Sequence, residues 1–168
     1  LYKIGSTFIV NKTRKDTLTE GLVGFWSFDG QDMINQSDGD QIALDRSGNN
    51  NNGTLTNGSK RAIGKIGQAL EFDGSDDYVS VADVNTLRFS ETDSKFSISG
   101  WVRLRAYPTG SNVSSMYAKW LGTGNNRSYT SSVNSSGVPV IEISTDGAGI
   151  AATVVATTVL SLNTWYHM

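Results

Sequence analysis

The segment 96–104, FSISGWVRL, places its apolar or small residues at every second position. A repeat of two puts successive side chains on opposite faces of a β-strand, so Trp101 and Arg103 share one face of the predicted strand and Val102 lies on the other. No window of a dozen residues repeats apolar residues at helical spacing between helix caps. This pattern predicts an all-β chain.

Short runs of the same kind recur along the chain and are separated by Gly, Asn, Asp and Ser turns. Strands at intervals of about 8–12 residues with such turns are typical of antiparallel two-sheet sandwiches and jelly rolls. Residues 1–20 are polar and are predicted to be an entry segment, a linker or an added edge strand before a domain at 21–168. The further predicted strands cover residues 7–10, 22–28, 69–73, 78–81, 116–120, 128–133, 138–144, 150–160 and 164–168.

Composition excludes several classes of protein. The 168 residues suit one domain, and a net charge of −2 gives no basic surface for nucleic acid or an anionic membrane. The absence of cysteine excludes disulfides, thiolate zinc sites and thiol nucleophiles. No apolar run reaches the ~20 residues that insertion into a bilayer needs. Abundant glycine with only 18% charged residues favours an extracellular or surface β-protein.

The stretch 45–58, DRSGNNNNGTLTNG, is a dense turn signal. Its two Asn-Gly pairs, at 52–53 and 57–58, are typical of tight hairpin turns, because both residue types tolerate a left-handed backbone. Asx turns would let the loop be held by its own side chains. Carboxylate and amide oxygens are also the ligands that Ca²⁺ takes, at roughly 2.3–2.6 Å. The residues alone therefore leave a self-held turn and a calcium site both open.

Five segments occur in one order along the chain: GLVGFWSFDG, DRSGNNNNGTL, GKIGQALEFDGSDDYVSV, FSISGWVRL and NTWYHM. In this order they resemble the concanavalin A-like, laminin-G-like jelly-roll domains of bacterial secreted and surface proteins. The resemblance covers residues 21–168 and implies an all-β, antiparallel two-sheet jelly-roll sandwich. Members of that family continue beyond the Thr-Trp-Tyr-His segment, so we expect one or two C-terminal hairpins to be missing here. Unpaired edges would then allow strand exchange or oligomers.

The resemblance also implies a function and a cofactor. Domains of this kind include non-catalytic, lectin-like modules that bind a glycan or cell-surface polysaccharide, and related jelly rolls hold a structural calcium ion. Oxygen ligands for calcium are offered by the Asp-x-Ser-Gly-Asn loop, by the Phe-Asp-Gly segment and by the end of the first predicted strand. The candidate metal ligands are Asp29, Asp45, Asn49, Asp73, Asp76 and Asp77.

Tryptophan placement decides where a sugar ring could stack. Trp26 and Trp165 stand among other aromatic residues and are predicted to belong to the core. Trp101 lies opposite the apolar residues of its strand and Trp120 precedes a Gly-rich loop, so both are candidates for a binding groove. The candidate ligand-binding residues are Trp101, Trp120, Tyr117, Tyr129 and Arg103.

Two alternatives stand beside the lectin-like module. One is a structural or adhesion domain without a glycan ligand, and the other is a glycoside hydrolase. Glu71 and Asp73 share one face of a strand, as the carboxylates of jelly-roll hydrolases do, but Gly74 ends that strand before a third carboxylate. His167 is the only histidine, which leaves a nucleophile pair or metal triad without partners. We therefore expect no enzymatic activity.

Overall fold

The computed structural model describes residues 20–35, 41–84, 87, 95–110, 113–121 and 126–168. Within these ranges the chain forms twelve β-strands and one 3₁₀ turn, Gly30–Asp32. The predicted all-β fold is confirmed. The predicted strand at 7–10, and all but the last residue of the segment 1–20, lie outside the described ranges. The strands are β1 (Met33–Asn35), β2 (Gln41–Ala43), β3 (Gly53–Thr56), β4 (Lys60–Ile63), β5 (Gln68–Glu71), β6 (Tyr78–Val81), β7 (Trp101–Arg103), β8 (Ser114–Leu121), β9 (Asn126–Val133), β10 (Pro139–Ile143), β11 (Ala152–Val155) and β12 (Trp165–His167).

The strand pairs of the described chain are antiparallel throughout. A first four-stranded sheet has the order β1-β2-β3-β6, and a second has the order β11-β10-β9-β8. The hairpin β4–β5 is inserted between β3 and β6, and the whole second sheet is inserted between β7 and its partner β12. Short hairpins nested inside longer-range pairs are the topology of a jelly roll. The predicted antiparallel sandwich is therefore confirmed.

A small apolar core lies against the first sheet. Met33, Ala43 and Leu55 come from three adjacent strands and are 6%, 1% and 7% exposed. Gly53 is required beside them, because a Cβ at that position would lie 2.6 Å from the Cγ1 atom of Val79. The partly buried residues packed against this core are Trp26, Phe28, Leu70 and Val79. The predicted core position of Trp26 is confirmed.

The predicted strand at 22–28 is wrong. These residues join no strand ladder, and Phe28 has a left-handed backbone with φ of 58°. The indole of Trp26 donates to the carbonyl of Asn51 (2.9 Å), and the side-chain amide of Asn51 donates to the carbonyl of Val23 (2.8 Å). The apolar pattern identified a segment that packs on the core. A distant loop satisfies its backbone instead of a neighbouring strand, through side chains and through the Arg46 amide, which donates to the Phe25 carbonyl (2.8 Å).

Strand length also differs from the sequence pattern. The predicted strand at 78–81 is observed as β6, whereas the predicted strand at 96–104 is limited to β7. Gly100 and Met168 still exchange backbone hydrogen bonds of 2.9 and 3.0 Å, but residues 95–99 have no partner strand among the described residues. The alternation of side chains predicts the face of the sheet on which each residue lies. Whether a strand forms depends on a neighbouring strand that accepts and donates its backbone hydrogen bonds. No helix in the described part is long and apolar enough to cross a membrane.

Candidate functional site

A cavity of about 210 Å³ opens on one face of the second sheet, across β8, β9 and β10. One indole, one carboxylate and several small, aliphatic or hydroxyl side chains line it. We call it the Trp120 cavity. Its lining residues are Val113, Ser115, Ala118, Trp120, Thr130, Ser132, Val140 and Glu142.

The register of the strands produces this cavity. Ala118, Thr130 and Glu142 are direct cross-strand neighbours, so their side chains project from the same face. Ala118 is exposed and lines the cavity with a single methyl group, two residues before Trp120. A β-bulge between Lys119 and Trp120 shifts the register at the end of this row, and bulges re-aim the side chains next to them. Trp120 follows this bulge and lines the cavity next to the row of Ala118, Thr130 and Glu142.

The groups in the Trp120 cavity match those that bind sugars. Trp120 is half-buried, and the guanidinium of Arg127 lies 5.7 Å from its ring centroid. Thr130 and Ser132 are buried and carry hydroxyls that both donate and accept hydrogen bonds. Glu142 is half-buried, and its side chain forms no hydrogen bond or ion pair with any described residue. An aromatic surface thus lies beside acceptors that a hydroxylated ligand satisfies.

Tyr117 and Tyr129 point away from the Trp120 cavity. Their cross-strand neighbours belong to the alternate set of residues on β8 and β9, so they occupy the opposite face of the sheet. The ring of Tyr129 lies 5.3 Å from that of Phe96, and a side chain at Gly100 would meet the Tyr117 hydroxyl. Burial raises the pKa of both tyrosines. The structure therefore places them in packing contacts with the segment that leads into β7.

Trp101 and Arg103 lie elsewhere again, on the ladder of β7 with β12. Trp101 is 42% exposed and its ring centroid is 5.2 Å from that of its direct partner His167. The guanidinium of Arg103 lies 5.1 Å from the ring of its direct partner Trp165. Trp165 was predicted to be a core residue and is instead half-buried beneath an exposed arginine. The five candidate ligand residues are therefore divided among three places, and only Trp120 lines the cavity.

The sequence did not identify the polar residues of the Trp120 cavity. Single serine, threonine and glutamate residues are ordinary on strands, and they become a site only when three strands align. The alternation within β9 did carry a signal, because it puts Thr130 and Ser132 together on the face opposite Tyr129. Glu142 joins them through the β9–β10 register, which the sequence alone does not give.

Asp45 is enclosed by hydrogen-bond donors. Its Oδ1 atom accepts from the backbone amides of Phe25 (2.9 Å) and Ser47 (2.8 Å). Its Oδ2 atom accepts from the Ser47 hydroxyl (2.7 Å) and the Asn51 amide (2.9 Å). A carboxylate has about four acceptor positions, and here the protein fills four of them. The geometry is that of a self-held turn, and metal ligation by Asp45 stays a prediction that requires displacing these donors.

The charge of Asp45 is stabilised in place. Burial by itself would raise the pKa of this carboxyl, which is 7% exposed. The hydrogen bonds from Ser47, Phe25 and Asn51 outweigh burial and hold the pKa below its ordinary value of 3.8. The side-chain oxygen of Asn52 accepts from the Asp45 amide (2.9 Å) and closes the loop. The Asn-rich stretch is therefore an ordered structure with its own hydrogen-bond network.

Asp29 and Asn49 also contact protein groups. Oδ1 of Asp29 accepts from the Gln68 amide at 2.8 Å. The side-chain amide of Asn49 donates to the Leu22 carbonyl and to the Ser47 hydroxyl, both at 3.0 Å. Among the described residues, Asp29 belongs to no group of three acidic side chains that could share a metal ion, and neither does Asp45. Their roles as metal ligands stay predictions.

Asp73, Asp76 and Asp77 are brought together by the turn between β5 and β6. Their ligand oxygens lie within 4.8 Å of one another, and we call them the Asp73 cluster. Oδ2 of Asp77 accepts from the Asp73 amide at 3.0 Å. Oδ1 of Asp77 is buried and has no hydrogen-bond partner among the described residues. An orphaned carboxylate oxygen beside two further carboxylates is a donor set that suits Ca²⁺.

Glu71, the first member of the hydrolase-like pair, is bound to an arginine. Its Oε1 and Oε2 atoms accept from Nη1 and Nη2 of Arg105 at 2.5 and 2.6 Å, the two-pronged geometry that is strongest for such pairs. Asp73 lies beyond the end of β5 and accepts from the Ser75 amide at 2.7 Å. Gly74 has φ of 84°, which confirms the predicted turn at this point.

Comparison with known protein families gives a match. Residues 73–168, more than half of the chain, match a laminin-G-type family model described as the concanavalin A-like lectin/glucanases superfamily. The matched region includes the Trp120 cavity, the β7–β12 ladder and the Asp73 cluster. No curated protein and no solved structure matches the chain.

Proposed function

Because the chain belongs to the concanavalin A-like lectin/glucanases superfamily, we propose that it is a non-catalytic carbohydrate-binding module with its ligand site in the Trp120 cavity. The observation that carries the proposal is the cavity itself, where a half-buried indole lies beside hydroxyl side chains and a carboxylate. Ligand sites in proteins combine apolar surface with a few polar groups that fix orientation in this way.

In the proposed complex, the Trp120 indole provides stacking, and the polar side chains of Glu142 and Thr130 provide hydrogen bonds. The apolar face of a pyranose packs on Trp120 and removes hydrocarbon surface of both partners from water. Glu142 accepts hydrogen bonds from sugar hydroxyls, and the hydroxyl of Thr130 donates or accepts as the sugar requires. The Glu142 carboxylate lines the cavity and repels acidic sugars, and the nearby Arg127 guanidinium offsets only part of that repulsion because it also donates to the Ala148 carbonyl. We therefore assign a neutral sugar to the Trp120 cavity.

Binding without catalysis is supported by the environment of Glu71. A retaining hydrolase needs two carboxyl groups about 5–5.5 Å apart, one of which shuttles a proton. Both oxygens of Glu71 are occupied by Arg105, and Asp73 lies past the end of the strand, in the turn. To contact a leaving group, Glu71 would first have to break both hydrogen bonds to Arg105.

Calcium is a second part of the proposal. The Asp73 cluster would hold the ion, since it offers three carboxylates, one of them with a buried oxygen that lacks a described partner. Bound calcium would offset the repulsion among three neighbouring carboxylates and hold the turn between β5 and β6. The role assigned to the ion is structural.

The proposed setting is extracellular or on a cell surface, and the proposed partner is a glycan or surface polysaccharide. A turn-rich composition with 18% charged residues supports this setting. A structural or adhesion domain without a glycan ligand is the alternative.

A glycan array tests the proposal. The labelled chain is applied in calcium and in EDTA, beside its Trp120→Ala and Tyr129→Phe variants. We expect binding to a group of neutral glycans that Trp120→Ala abolishes and that Tyr129→Phe, altered on the opposite face, retains. A wild-type signal no higher than that of Trp120→Ala on every glycan would favour the structural or adhesion domain.

A further inference from the structure

A second aromatic surface lies on the β7–β12 ladder. Trp101 and His167 are direct cross-strand partners, as are Arg103 and Trp165, and all four side chains project from one face. Lys65, in the turn between β4 and β5, reaches the same face, with its Nζ atom 5.8 Å from the Trp101 ring centroid. We call these five residues the indole–cation face.

Positive charge on this face has no acidic partner among the described residues. Lys65 and Arg103 form no ion pair with any described residue, and each lies over an indole ring instead. Two formal positive charges therefore stand together in a chain whose net charge is −2. Among the other cations, Arg46 pairs with Asp32, Arg105 with Glu71 and Lys119 with Asp83. The exposed Lys60, Arg61 and Lys95 form no ion pair with a described residue either, so Lys65 and Arg103 are distinguished by their positions over indole rings.

We infer that the indole–cation face binds a carboxylated sugar, a hexuronate unit of an acidic polysaccharide. Trp101 is 42% exposed and offers ring surface on which a pyranose stacks. Arg103, held over Trp165, presents a planar fork of donors that matches a carboxylate. Residues two apart on a strand are roughly 6.6 Å apart, so the stacking ring and the fork suit the two ends of one sugar unit. Lys65, whose Nζ atom lies 5.8 Å from the Trp101 ring centroid, adds a second cation to the same face.

The two surfaces select opposite ligands. The Trp120 cavity contains the Glu142 carboxylate, which repels an acidic sugar, whereas the indole–cation face attracts one. The inference therefore does not rest on the proposed function of the cavity. Nucleic acid suits the face less well, because it is held by extended rows of basic residues and this face offers two such cations in a chain with a pI near 5.3.

Tetragalacturonate and its fully methyl-esterified form are matched probes, because they differ in carboxylate charge and share the same sugar units. Each is titrated calorimetrically against the whole chain in EDTA, which excludes bridging by calcium. We expect the acid to bind about tenfold more tightly than the ester, and to weaken as NaCl is raised, since exposed charges are screened. Equal affinities for the two forms would overturn the inference.

Variants then locate the site. Arg103→Gln and Trp101→Ala should each weaken tetragalacturonate binding by about fivefold or more, while Trp120→Ala should leave it unchanged. Arg103→Lys should recover only part of the loss, because it restores the charge without the fork. Melting curves check folding, and Lys65→Gln is a second exposed variant if an Arg103 variant fails to fold. The inference fails if these variants bind as the wild type does, or if an oligonucleotide binds equally well.

Discussion

The Asp45 carboxylate accepts a hydrogen bond from the backbone amide of Phe25, 20 residues earlier in the chain, at 2.9 Å. The same carboxylate accepts from Ser47 and Asn51, so one side chain joins the Asn-rich loop to the segment that packs on the core. That segment joins no strand ladder of the described chain, and a backbone hydrogen bond from the Arg46 amide to the Phe25 carbonyl (2.8 Å) adds to these contacts. Asp45 is therefore a structural clamp between two parts of the first half of the domain.

Asp45→Asn should lower the free energy of unfolding by about 2 kcal/mol. The substitution replaces one carboxylate oxygen by an NH₂ group, which cannot accept. At least one of the backbone N–H groups of Phe25, Ser47 and Asn51 therefore loses its acceptor. Asp76→Asn is the matched control because Asp76 is exposed, and it should change stability by less than about 0.5 kcal/mol. Urea denaturation in EDTA measures both. Equal losses for the two variants would contradict the role assigned to Asp45.

Acid should unfold the wild-type chain more steeply than the Asp45→Asn variant. The pKa of Asp45 is lower in the folded state than the ordinary value of 3.8 that it takes on unfolding. Its contribution to stability is therefore fully present above that ordinary value, and it is lost as the pH falls toward the folded pKa. Free energies of unfolding measured from about pH 6 to about pH 2 should converge for the two proteins at the acid end. Parallel curves would show that the pKa of Asp45 is not lowered by folding.

Calcium should raise the melting temperature, and EDTA should reverse the rise. At a free concentration 100 times the dissociation constant the expected gain is about 2.7 kcal/mol. Asp77→Asn should abolish the response, because its buried oxygen belongs to the Asp73 cluster. Asp45→Asn should keep it. The reverse result, a response lost with Asp45→Asn and kept with Asp77→Asn, would place calcium in the Asn-rich loop.

Glu71→Gln should cost less than about 1 kcal/mol, because its pair with Arg105 is partly exposed and surface ion pairs contribute little. Arg105→Gln is the matched variant and should have the same small effect. The wild-type chain should release no reducing sugar from the glycans that it binds. Hydrolysis by the wild type that is lost in Glu71→Gln would make Glu71 a catalytic residue and overturn the non-catalytic assignment.

Local pattern predicted strands that overlap β5 to β12, but it did not predict β1 to β4, three of which belong to the first sheet. The alternation in β6 gave its bounds, and the separation of Trp101 from Val102 on opposite faces follows from a period of two. The same pattern gave a strand at 22–28, because apolar residues that pack on a core look alike whether a strand or a loop satisfies their backbone. The side chain of Asn51 takes the place of a strand there, and its contact is 28 residues away in sequence.

The sequence predicted the kinds of residue that a sugar site contains, but not which of them lie together in the structure. Trp120 was identified from its place beside a loop, and it lines the cavity. Thr130 and Glu142 were not identified as site residues. They line the cavity because of the register between β8, β9 and β10, which depends on long-range strand pairing. Tyr117 has the residue type expected of a sugar site but lies on the other face, since a bulge near Ser115 sets which residues of β8 face the cavity.

The most direct test of the account is the affinity for a neutral oligosaccharide selected on the array. Calorimetric titration compares the wild type with Trp120→Ala and Trp101→Ala, which remove one indole each from different surfaces. We expect Trp120→Ala to weaken binding by about tenfold or more, equivalent to about 1.4 kcal/mol. Trp101→Ala should change it by less than about twofold. An unchanged dissociation constant in Trp120→Ala, or a loss confined to Trp101→Ala, would contradict the assignment of the Trp120 cavity as the ligand site.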